Sequence, residues 1–115
     1  MKKPYIEQRP WGQFERFTAG EPVIVKIITV NPGEALSLQY HKLRDEFWKI
    51  LQGEPILVIG EKTIVAKLDE EFFVPKETNH RITAQRKTVK VLEIAFGQYD
   101  ENDIVRLEDK YRRNG

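Results

Sequence analysis

Short runs rich in β-branched and aromatic residues recur along the middle of the chain, separated by turn signals, and they predict strands rather than helices. Residues 23–30 form one such run and end at Asn31-Pro32-Gly33, a strong turn signal. Further strands are expected over 35–41, 46–51, 56–59, 63–68, 72–74, 81–84 and 89–96, with Gly60-Glu61-Lys62 as a hairpin turn. Many short strands at close spacing, with no helical pattern between them, predict an all-β sandwich or barrel. The tail over 100–113 differs: Ile104, Leu107 and Tyr111 fall at helical spacing and Asp100 can cap them, so a short helix or an extended arm is expected.

At 115 residues the chain has the length of one domain, expected as an N-terminal arm over 1–12, a barrel over 13–97 and a tail over 98–115. The 19 basic and 18 acidic residues nearly cancel, which gives no argument for a nucleic-acid or membrane partner. Cysteine is absent, so disulfides and thiol catalysis are excluded. No secretory leader and no long apolar span is apparent, and a soluble cytoplasmic protein is expected.

Strand parity sorts the chemistry. Side chains two apart share a face, so Ser37, Gln39 and His41 project together. Residues 43–45 read as a polar turn, and Glu46 at the head of the returning strand can face that pair. In 89–96, Glu93 shares a face with Val89, Val91 and Ala95; parity alone leaves open whether that face points inward, and Lys26 in 23–30 poses the same question. An inward Glu93 would be an ionisable group in an apolar cavity and a candidate for proton transfer. Trp48 reads as core packing.

Both histidines of the chain lie in suggestive segments. One is Gly33-x5-Gln39-x-His41-x4-Glu46-x6-Gly53, and the other is Pro75-x4-His80. The first resembles the first cupin motif, with glutamine for its leading histidine, and the second has the proline and histidine of the second cupin motif. That resemblance implies that Gln39, His41, Glu46 and His80 converge on one divalent cation. Two imidazoles, a carboxylate and an amide oxygen suit zinc, manganese, iron, cobalt or nickel, and the absence of thiolates argues against a closed structural zinc site.

Four blocks extend the resemblance to the cupin-type (type II) phosphomannose isomerases, including the domain that ends bifunctional mannose-1-phosphate guanylyltransferase/phosphomannose isomerases. They are Arg9-Pro10-Trp11-Gly12; Pro32-Gly33 through Gln39-x-His41-x-x-Arg44-x-Glu46-x-Trp48; Pro75 to His80-Arg81; and Gly97-x-Tyr99 through Asp103-Ile104-Val105-Arg106 to Asp109-x-Tyr111. The chain departs from the family pattern at Lys42, Leu43, Glu77 and Ala95. The resemblance implies a jelly-roll barrel, a bound metal, and interconversion of mannose 6-phosphate and fructose 6-phosphate. Arg44 matches the family motif's arginine and is a catalytic candidate. Glu93 is the first candidate for the base, with a metal-bound hydroxide as the alternative, and Arg9, Lys26, Ser37, Arg81 and Arg106 are substrate-binding candidates. A sugar phosphate is the expected ligand and a homodimer the expected assembly, because pairing edge strands removes exposed edges. A non-catalytic sugar-phosphate-binding cupin, or a cupin enzyme acting on another sugar phosphate, keeps the same barrel. No guanylyltransferase activity is expected, since no Gly-rich phosphate loop precedes a helix.

Overall fold

The computed structural model describes residues 4–97, 100 and 102–109. Among them there are eleven strands and no helix. β1 (Tyr5–Arg9) and β2 (Gly12–Arg16) form a separate hairpin. One sheet has the order β3 (Val23–Val30), β10 (Val89–Gly97), β5 (Arg44–Gln52), β8 (Glu71–Val74). The other runs β11 (Val105–Glu108), β4 (Leu38–Tyr40), β9 (His80–Thr83), β6 (Ile56–Ile59), β7 (Lys62–Val65). Every pairing is antiparallel. The crossovers between the sheets make this a jelly roll.

One apolar cluster joins the two sheets. Val30, Trp48, Ile50, Val89 and Val91 from the first meet Leu57 and Ile82 from the second. Inward residues change character along each strand that frames the site. β5 presents Arg44 and Glu46, then Trp48 and Ile50; β10 presents Glu93, then Val91 and Val89; β9 presents His80, then Ile82. A polar layer therefore lies on top of a dry core at one end of the barrel. The core closes at the other end around Gly53, whose φ of +81° favours glycine. A Cβ there would stand 2.6 Å from the Thr88 carbonyl oxygen, so the close approach of the two segments also requires glycine.

Of the two forms expected for the tail, its described part takes the extended one, with β11 paired to β4; Tyr99 and Tyr111 lie outside the described residues. Asp100 caps a turn instead, accepting the Asn102 amide at 2.9 Å. The N-terminal arm is a hairpin reaching to Arg16, with Pro10-Trp11 at its turn. It is tied to the barrel by Lys49, which reaches Glu15 at 3.3 Å and Glu71 at 3.0 Å, and Phe17 packs on Phe47.

Candidate metal centre

β4 ends just before His41, β5 carries Arg44 and Glu46, and β9 begins at His80. Gln39 is the register partner of His80, and Ala95 is the partner of Glu46. These pairings bring His41, Glu46 and His80 together, with one ligand atom from each lying within 4.8 Å of the others. Nε2 of His41 is 3.3 Å from Glu46 Oε2, and Nε2 of His80 is 3.8 Å from Glu46 Oε1. All three are buried.

The ring tautomers follow from the partners. His41 Nδ1 is 2.5 Å from the Asp103 carbonyl oxygen, and His80 Nδ1 is 2.9 Å from that of Thr78. A carbonyl only accepts, so each Nδ1 carries hydrogen and each neutral ring keeps its lone pair on Nε2. Burial favours the neutral form and holds both imidazoles below the ordinary histidine value, against the pull of Glu46. His80 Nε2 is buried and has no hydrogen-bond partner. An orphaned buried nitrogen beside a second imidazole lone pair and a carboxylate suits a divalent ion with N/O preference.

Glu46 is held on both oxygens. Trp48 Nε1 donates to Oε1 at 3.1 Å and Arg44 Nε donates to Oε2 at 3.0 Å. Arg44 Nη2 lies 3.1 Å from His41 Nε2 and donates to its lone pair. Arg44 is only 8% exposed, so it is not a solvated charge on a turn. Trp48 is core, as expected, and it also serves the site through its indole N–H.

A cavity of about 340 Å³ opens beside these residues. Glu93 lines it, which answers the parity question: the Val89, Val91, Glu93, Ala95 face is the inward one. Burial, and then the neighbouring Glu46, push the Glu93 carboxyl up to about 7, against the pull of Arg44 and Lys26. Lys26, the register partner of Glu93, lines the cavity with Arg106, the partner of Gln39. Gln39 and Ser37 also border it, and the Ser37 hydroxyl donates to Gln39 Oε1 at 2.8 Å. Arg9 and Arg81 are not brought there. Arg9 pairs with Glu7 and lies over Phe14 in the hairpin. Arg81, next to inward His80, donates to the Leu36 carbonyl at 3.1 Å and to Glu108 at 3.3 Å.

The sequence reading missed the work of Asp103 and Thr78. Thr78 is near His80 in the chain, but its contribution is a carbonyl, which every residue carries. Asp103 meets His41 across 62 residues, and no local spacing signals such a contact.

The family whose model matches residues 3–109 is described as "Mannose-6-phosphate isomerase C-terminal". The chain is 36% identical over 107 residues to the mannose-1-phosphate guanylyltransferase ManC of Salmonella typhimurium, covering 91% of this chain and 22% of that protein. It is likewise 36% identical to the xanthan biosynthesis protein XanB of Xanthomonas campestris, covering 91% of this chain and 23% of that one. It thus spans about a fifth of the length of the curated relatives it matches. In fold it is similar to the crystal structure of Rru_A2000 from Rhodospirillum rubrum, described as a cupin-2 domain. That match has TM-score 0.64 at 15% identity and covers 86% of this chain and 72% of that one. With the jelly roll, the His41–Glu46–His80 centre and this match in agreement, the chain belongs to the mannose-6-phosphate isomerase C-terminal family of cupin domains.

Proposed function

We propose that the protein is a metal-dependent isomerase interconverting mannose 6-phosphate and fructose 6-phosphate. The observation that carries this reading is a buried carboxyl, Glu93, lining one cavity with His41 of the His41–Glu46–His80 group and with Lys26, Arg44 and Arg106, within a chain of this family. His41, Glu46 and His80 would hold the ion, with Gln39 as the fourth ligand. A divalent ion bound there supplies Lewis-acid polarisation of the sugar's carbonyl and hydroxyl oxygens.

The chain's own residues carry the remaining roles. The ionised Glu93 carboxylate removes the proton from C2, and the C2–H electron pair becomes the C1–C2 double bond. The carbonyl π electrons move onto O1, giving an enediolate. Arg44 lines the cavity and its guanidinium charge offsets that developing charge. Glu93 then returns the proton to C1 while the O2 proton passes to O1, which leaves the ketone at C2. Lys26 and Arg106 lie in the cavity wall, where they attract the dianionic phosphate.

A homodimer paired along β3 belongs to the same reading. Among the described residues β3 bonds only to β10, and its outward Val25 and Ile27 are 56% and 60% exposed. An open apolar edge of this kind favours pairing with a second copy.

A coupled assay with mannose 6-phosphate tests the activity, run after chelation and after return of single divalent metals. Turnover is expected only with metal, and Glu93→Gln should lower kcat by roughly 100-fold or more. A protein that takes up metal and binds mannose 6-phosphate without turnover would be a binding cupin instead.

A further inference from the structure

Asp103 is joined to the loop of His41 by both its carboxylate and its carbonyl oxygen. Its carboxylate accepts the backbone amides of Lys42 at 2.8 Å and Leu43 at 2.9 Å. Its carbonyl oxygen lies 2.5 Å from His41 Nδ1. Its own amide donates to the Asp100 carbonyl at 2.9 Å, which closes the turn that presents it. Lys42 and Leu43 are the two residues between His41 and Arg44. One side chain therefore helps fix the backbone between His41 and the buried arginine, and the same residue's carbonyl favours the Nδ1–H tautomer together with the Arg44 donation to Nε2. The carboxylate's two amide bonds add to the Asp100 turn and the β11–β4 pairing in keeping that carbonyl against the ring.

We infer that Asp103 is a positioning residue, whose docking on the Lys42–Leu43 amides holds His41 as the Nδ1–H tautomer with Nε2 facing the ion. For its consequence in metal binding this rests on the metal-dependent reading above; the tautomer itself does not. Partners of this kind behind a ligating histidine typically change metal affinity by roughly 10–100-fold when lost.

The chain has two histidines, so imidazole NMR reads both rings directly and His80 serves as an internal control. In the metal-free parent both rings should show the Nδ1–H pattern. In Asp103→Ala the His41 ring should shift to a mixed or Nε2–H pattern, while His80, held by Thr78, keeps its own. Titration with Co²⁺ by calorimetry should show affinity roughly 10–100-fold weaker than the parent's. Asp103→Asn keeps one acceptor for the two amides, so it should fall between parent and Asp103→Ala; it also serves as the test if Asp103→Ala does not fold. A variant with an unshifted His41 ring and parental Co²⁺ affinity would overturn the inference. A parent that binds no Co²⁺, Zn²⁺ or Mn²⁺ would overturn the metal reading, and the His41 tautomer would still decide the role of Asp103.

Discussion

Glu77 has φ of +64°, a left-handed conformation that β-carbons oppose by about 1–2 kcal/mol. It is kept there because its amide donates to the His41 carbonyl at 2.6 Å, which ties the β8–β9 loop to the metal loop. The resembling motif usually has glycine at this place, and the backbone now gives the reason. Glu77→Gly should therefore stabilise the protein by about 0.5–1 kcal/mol after the extra chain entropy of glycine is subtracted. Urea denaturation checks this, and an unchanged or lower midpoint would count against it. Glu93 gives a pH signature. Its ordinary value is 4.5 and its folded value is about 7. Between the two, the folded chain holds a proton that the unfolded chain has released. Stability thus falls as pH rises through that window and stays low above it; below 4.5 both states are protonated and the difference vanishes. With chelator present, Glu93→Gln should gain on the order of 2–3 kcal/mol at pH 8 and nothing at pH 4. Parallel pH–stability curves for parent and variant would rule out a buried, raised Glu93. The buried His41–Glu46–His80 group was legible in the sequence through the motif spacing, although β4 and β5 lie in different sheets and do not form the hairpin expected there. The face of Glu93 was not legible, since both faces of β10 are largely apolar and Ile94 on the outer one is itself 2% exposed.

At the level of elements, the central strands were readable from β-branched runs and turn residues. Residues 23–30 and 56–59 came out with the expected bounds. The run over 35–41 shortened to Leu38–Tyr40 because Ala35 and Leu36 meet β9 through an isolated bridge and one amide bond to Ile82. The first hairpin was hidden because its strands are polar, although Pro10 and Gly12 do mark its turn. The tail was left open between helix and extended arm because the spacing of Ile104 and Leu107 is too brief to decide; pairing of Val105–Glu108 with β4 settles it as extended. Arg81 explains how β11 is retained: it bonds Leu36 on one side and Glu108 on the other, stapling the strand at the sheet edge. Arg81→Met should lower the local opening energy of β11 by roughly 1 kcal/mol, or about fivefold faster amide exchange over Val105–Glu108, with the core amides unchanged. Equal exchange in parent and variant would return Arg81 to the list of phosphate-binding candidates.

For the whole molecule, the proposed dimer is checked by light scattering on the eluting protein. The parent should have twice the mass of one chain, and Ile27→Glu should give a folded monomer, since a buried unpaired carboxylate opposes edge pairing. A monomeric parent at high concentration would end that proposal. The Asp103 clamp carries a consequence for timing. His41 reaches its partner carbonyl across 62 residues, whereas Glu46 lies five positions away along the chain. A contact of such separation forms late, because its loop entropy must be met before it stabilises anything. During synthesis His41 and Glu46 leave the ribosome long before Asp103 does, with a ring still free to adopt either tautomer. The His41 ring is therefore fixed by the closed barrel and not by the local segment that carries it to Glu46.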